Sequence, residues 1–187
     1  MRAERHPTEV LPVIQKEGEV TLKDGSAVRI RPMRPEDDVL LVRMFHNSSP
    51  TTIYQRFLAA VTELTPGMAR YLSAVDHCHR VALIAETDME PIGVARYEVT
   101  TDPGSAELGL LVIDAWQNRG LGRILLREIW RAAEEKGIYR FCAYVLGENR
   151  RMLRLLTSEC RIQDWSVEAG MITLSFTSRL KTRCART

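Results

Sequence analysis

One junction constrains this chain more than any other. An apolar, strand-like run, Ala106-Glu107-Leu108-Gly109-Leu110-Leu111-Val112-Ile113, passes through Gln117-Asn118-Arg119-Gly120-Leu121-Gly122 into a helix predicted from about residue 121 to 136. Leu121, Ile124, Leu125, Ile129 and Ala132 or Ala133 fall on one face of that helix, and Gly137 is its stop signal. The first backbone N–H groups of a helix have no carbonyl four residues earlier, and the helix dipole adds about half a positive charge at the same end. Glycines there let a ligand come close to the backbone, so the turn reads either as an anion cradle or as a plain turn and cap. Two familiar nucleotide loops do not fit. The pattern is not Gly-x-Gly-x-x-Gly opening a βαβ unit, and Gly-x-x-x-x-Gly-Lys-Ser/Thr occurs nowhere.

Strand signals precede the junction. Two alternating runs, residues 19–22 and 27–31, flank Asp24-Gly25 and predict a hairpin. Helical patterns follow over residues 35–74. The first opens on Pro35-Glu36-Asp37-Asp38, the second runs through Ile53, Tyr54 and Phe57, and the third has Thr65-Pro66 as N-cap and first position. Runs at 81–85, 92–99 and 106–113 are separated by short turns, which suits an antiparallel meander. After the long helix come a strand over 138–146, a short helix over 149–158, and a closing hairpin over 166–176 turning at Ala169-Gly170. The expected class is α+β: a mixed, mostly antiparallel central sheet with helices on both faces.

Length and composition fit one domain. The 187 residues are 45% hydrophobic and 27% charged, with 26 basic against 24 acidic side chains. A net charge of +2 gives no field strong enough to imply nucleic acid or an anionic membrane, so neither is an expected partner. Residues 1–16 are expected to be a flexible leader, 17–180 the folded domain and 181–187 a tail. Cys78, Cys142, Cys160 and Cys184 have no paired spacing and read as reduced thiols. With neither a signal peptide nor a long apolar run, the expected location is the cytoplasm. Asp76-His77-Cys78-His79 lies in one consecutive stretch before a strand, without a distant partner, and no metal site is expected.

The segment Ala106–Val112 together with Trp116-Gln117-Asn118-Arg119-Gly120-Leu121-Gly122 resembles the central motif of the GNAT N-acetyltransferase superfamily. The resemblance extends over about residues 27–160 and takes in Arg29-Ile30-Arg31-Pro32, Ile92-Gly93-Val94-Ala95 and Asn149. More narrowly, Tyr54-Gln55-Arg56-Phe57, Gly93-Val94-Ala95-Arg96-Tyr97 and Ala106-Glu107 look like the bacterial protein-lysine acetyltransferases that modify acyl-CoA synthetases. Such enzymes often carry a regulatory domain; 187 residues leave no room for one, so regulation by a fused domain is not expected.

The resemblance implies acetyl-CoA as cosubstrate and no metal. Leu110, Leu111 and Val112 would offer backbone groups to the pantetheine arm, much as a sheet edge takes up a peptide. Gln117, Asn118, Arg119, Gly120, Leu121 and Gly122 would hold the pyrophosphate. Asn149 would hold the cosubstrate through its amide, or else serve as a turn and N-cap. Among Arg123, Arg127, Arg150 and Arg151, Arg123 is first choice for the nucleotide's phosphate because it belongs to the loop. Glu107 is the candidate general base: a lysine amine, which ordinarily titrates at about pH 10.4, needs a proton acceptor, and apolar neighbours at 106, 108, 110 and 111 suggest a buried carboxylate. An exposed glutamate at a strand start is the alternative. Many relatives have a tyrosine acid about seven residues after the asparagine; Leu156 stands there, so the thiolate would leave as the anion or be protonated by water. Tyr97 and Trp116 read as packing residues, although Tyr97 has a second reading as a wall of the acceptor channel.

The expected function is acetyl transfer from acetyl-CoA to a primary amine, a protein lysine in the first instance, directly within a ternary complex. A small amine such as an aminoglycoside, polyamine or amino acid is the alternative acceptor, and a non-catalytic acyl-CoA-binding regulator is the alternative of another class. Oligomeric state and acyl preference are not fixed by the sequence.

Overall fold

A computed structural model describes residues 17–179, apart from 89 and 103. The expected leader 1–16, the tail 181–187 and Cys184 lie outside the described residues. Eight strands form one sheet: β1 (Gly18–Thr21), β2 (Ala27–Pro32), β3 (Arg80–Thr87), β4 (Glu90–Val99), β5 (Ser105–Val112), β6 (Arg140–Leu146), β7 (Cys160–Glu168) and β8 (Met171–Ser178). Their order across the sheet is β1-β2-β3-β4-β5-β6-β8-β7. Every neighbouring pair is antiparallel except β5 and β6. Among the described residues five α-helices accompany them: α1 (Asp38–His46), α2 (Pro50–Phe57), α3 (Pro66–Ser73), α4 (Leu121–Glu134) and α5 (Arg150–Glu159). The sheet is thus mixed and mostly antiparallel, as expected, with helices on both faces.

Alternation along β5 decides what faces what. Gly122 of α4 lies against Leu110 and Val112, whereas Gly109 lies against Arg56 of α2. Residues 106, 108, 110 and 112 therefore face α4, and 107, 109 and 111 face the layer containing α2. Tyr97 is paired with Leu108, fully buried and on the α4 side, so it belongs to the core and does not line an acceptor channel. Beneath α4, Leu121, Leu125, Ile129 and Trp130 are fully buried.

Local signals placed most ends correctly. Thr65 Oγ1 accepts from Met68 N at 3.3 Å at the start of α3, and Gly137, with φ of 75°, turns the chain after α4. The closing hairpin is longer than expected. β7 starts at Cys160, not Ser166, because 163–168 is exposed on both faces and shows no alternation.

A buried ionic cluster clamps the N-terminal half. Arg31 donates to both oxygens of Asp37, at 2.7 and 2.8 Å, and to both of Glu86, at 3.0 and 3.1 Å. Burial works to raise the Asp37 carboxyl, but the Arg31 bonds and the Arg34 N–H outweigh it and hold the group below the ordinary carboxylate range.

Candidate active site

β5 and β6 pair over only three positions: Ser105 with Arg140, Ala106 with Phe141, and Glu107 with Cys142. Beyond Glu107 the two strands part. A cleft of about 340 Å³ fills the gap, walled by residues 108–112 on one side and by Ala143, Tyr144 and Val145 on the other. Asn118, Gly120, Gly122 and Arg123 line one end, α5 and its N-cap contribute Met152, Leu155 and Asn149, and α2 contributes Thr52, Gln55 and Arg56.

The turn before α4 has the donors the sequence suggested. Arg123 N and Ile124 N bond to Gly120 O at 3.1 and 3.2 Å, while the N–H groups from Asn118 to Gly122 have no partner among the described residues. Gly120 is left-handed at φ 95°. An L side chain there would be strained by about 1–2 kcal/mol. A run of free N–H groups at a helix N-terminus fits an anionic ligand.

Gln117 braces this turn. Its Nε2 donates to Val112 O at 2.9 Å and Thr52 Oγ1 at 3.2 Å, and its Oε1 accepts from Arg151 Nη1. Asn149 Oδ1 accepts from Met152 N at 3.1 Å, so the residue is the N-cap of α5 and also lines the cleft. Arg123 lines the cleft, yet its Nε lies 2.8 Å from Glu159, which also holds Arg127. Arg119 turns away toward Asp24 at 3.1 Å and stacks on Trp116 at 4.7 Å, and Leu121 is buried in the core. Only the backbones of Arg119 and Leu121 remain available at the turn.

Glu107 occupies the root of the fork, as the last residue of β5 paired with β6. It is exposed, which corrects the expected buried carboxylate. Its apolar sequence neighbours Ala106 and Leu108 point to the opposite face of the sheet. Arg56 and Arg96 stand near enough to sense its charge. Leu156 is fully buried, and Tyr144 is the tyrosine that lines the cleft.

Several lining residues escaped the sequence reading. Lys23 arrives from the β1–β2 hairpin, Thr52 and Gln55 from α2, and Arg154 from α5. No motif marks Lys23, Thr52 or Arg154, and the Tyr54–Phe57 segment did not place Gln55 at the cleft; only a placement of the hairpin and α2 beside β5 would have found them. In Asp76-His77-Cys78-His79, Asp76 Oδ1 accepts from the N–H groups of Cys78, His79 and Arg80 at 2.8, 2.8 and 2.7 Å, a turn-closing role.

Comparison with known proteins decides the class. The model of the Acetyltransferase (GNAT) family matches residues 44–160. The chain belongs to this family. The GNAT domain of S. lividans PAT superposes with a TM-score of 0.80 at 32% identity, covering 86% of this chain and 96% of that one. Acetyltransferase PA5475 of Pseudomonas aeruginosa is 28% identical over 136 residues, 71% of this chain and 73% of that protein. Acetyltransferase Pat of Mycolicibacterium smegmatis is 30% identical over 140 residues, 73% of this chain but 42% of Pat. This GNAT protein is an acetyltransferase, and its reaction class is acetyl-CoA-dependent N-acetylation. Among its described residues no helix is long and apolar enough to cross a membrane.

Proposed function

We propose that this GNAT enzyme acetylates a protein lysine in the cytoplasm, with acetyl-CoA seated in the cleft between β5 and β6. The observation that carries the reading is the arrangement of that cleft: unpaired N–H groups at one end, a carboxylate at the fork, and a parted strand edge between them. The pyrophosphate takes the turn 117–122, and Lys23, whose side-chain stem lies close to Gly120, also lines the cleft. Five residues of edge left unpaired by β6, 108–112, span about 16 Å, and an arm bearing two amides runs along it through the backbone of Leu110, Leu111 and Val112. That direction brings the thioester to the fork beside Glu107. Asn149 touches the arm from α5.

The lysine nitrogen attacks the thioester carbon, its proton passes to Glu107 directly or through one water, and the C–S bond breaks to release the thiolate of CoA, which water protonates. Placement and fixed N–H dipoles contribute most of the rate. A cysteine-bound intermediate fits the site poorly. Burial, aided by the Glu107 charge, pushes the Cys142 thiol up, and burial pushes Cys160 up to about 12, so both stay protonated and weakly nucleophilic.

The lysine acceptor is supported by the resemblance of the 54–57, 93–97 and 106–107 segments to bacterial protein-lysine acetyltransferases and by the likeness to the PAT domain. Incubation with labelled acetyl-CoA and a panel of acyl-CoA synthetases and small amines tests it. Label on a synthetase lysine is the expected result; label confined to small amines would replace the acceptor and leave the cleft assignment standing.

A further inference from the structure

Two spaces meet at Arg56. One is the cleft; the other is a mainly apolar cavity of about 40 Å³ behind it, lined by Met33, Met44, Ile53, Phe57 and Val94 and also by Arg96. Arg56 and Leu111 are the residues common to both linings. The Arg56 guanidinium lies flat on Gly109: a β-carbon at that glycine would stand 2.6 Å from Nη2 and 2.9 Å from Cζ. It makes no hydrogen bond or ion pair among the described residues, although Arg96 is buried nearby. Burial, with the Arg96 charge adding and Glu107 opposing, brings its pKa down to about 10, so it remains a cation at neutral pH.

Gly109 is two residues from Glu107 on the same face of β5, at the end of the cleft where the seating above, on which this inference rests, puts the thioester. We propose that Arg56 is the end wall of the acyl site and sets acyl chain length, and that the apolar cavity behind it is a closed extension of that site. An acetyl group stops in front of the guanidinium. A butyryl tail would collide with it and would also cover its free N–H groups without offering an acceptor, which costs more than displacing an apolar wall. The cavity is large enough to matter: a water-sized group needs about 10–15 Å³ of such volume, so 40 Å³ takes two or three methylenes once the wall is gone. Gly109 is what permits the wall, because any side chain there would lift the guanidinium off the strand.

Calorimetric affinities for CoA, acetyl-CoA and butyryl-CoA test this without knowing the acceptor. Wild type should bind butyryl-CoA at least about tenfold more weakly than acetyl-CoA, since one methylene in a fitted pocket is worth about 10- to 200-fold. Arg56→Ala should shift the butyryl-to-acetyl ratio by at least about tenfold toward butyryl. Arg56→Met, which keeps bulk and removes charge, should fall between. Equal affinities in wild type, or a ratio unmoved in a variant that still binds CoA, overturn the proposal. If Arg56→Ala does not fold, Arg56→Met and wild type alone decide it by the same ratio. Wild type that fails to bind CoA at all is a different failure, that of the seating itself.

Discussion

Asp114 accepts hydrogen bonds from both the N–H and the hydroxyl of Ser49, at 2.7 and 2.8 Å. The turn that leaves β5 is thereby fastened to the N-cap of α2, and Thr52 Oγ1 adds a third donor at 2.9 Å. Burial works to raise the Asp114 carboxyl, but the bonds from Ser49 and Thr52 prevail and hold it low, so it is an anion throughout the neutral range. Since α2 carries Gln55 and Arg56 over the cleft, loosening this fastening should be felt at a distance.

Asp114→Ala should destabilise the fold by about 1–2 kcal/mol, the usual cost of losing a helix-capping interaction. It should also weaken acetyl-CoA binding severalfold. Thermal melts and calorimetry on one preparation check both; unchanged affinity would show that α2 keeps its place without Asp114.

Glu107→Gln keeps shape and removes the proton acceptor. kcat should fall by about 10²- to 10⁴-fold at neutral pH while the affinity for acetyl-CoA holds. The deficit should shrink as pH rises toward the lysine value of about 10.4, because more of the amine is already free. A parallel pH profile in wild type and variant would point to structural damage instead.

Gly122→Asp places a carboxylate beside the free N–H groups of the turn. A β-carbon there would stand 3.5 Å from Leu110 Cδ2, an ordinary contact, so Gly122→Ala should melt near wild type. The aspartate variant should also fold but lose at least about 100-fold in acetyl-CoA affinity through charge repulsion and bulk. Equal calorimetric affinities for Gly122→Asp and wild type would remove the turn from the binding site.

Asp37→Asn breaks the buried cluster with Arg31 and Glu86. Removing one partner of such a group costs about 3–5 kcal/mol. The Asp37 value is depressed in the folded state, so its contribution is present above the unfolded value of about 3.9 and lost as pH falls through the folded one. Denaturant titrations should therefore show a wide gap between wild type and variant at pH 7 that narrows below about pH 4. A gap that persisted there would assign the effect to packing.

The helices and the turn before α4 were legible because caps, periodicity and glycines are local. Thr65, Asn149 and Gly137 each act within a few residues of chain. Glu107 shows where such reading fails: its neighbours along the chain are apolar, but strand alternation sends Ala106 and Leu108 to the other face. The contact between Arg56 and Gly109 spans α2 and β5, and nothing within either segment announces it. The exposed outer half of β7 had no alternation to read. The cleft itself depends on where a parallel pair of strands stops pairing, which is a property of packing.

The three-residue root of the fork makes the sheet two plates on a short hinge, β1 to β5 on one side and β6, β8 and β7 on the other. In an antiparallel pair every second residue turns its amide away from its partner, so alternate amides of 108–112 face the opening instead of β4. A guest lying along that edge acts as a splint, completing the missing ladder and fixing the angle between the plates. Under the seating proposed above, deuterium uptake at those amides should fall when acetyl-CoA binds.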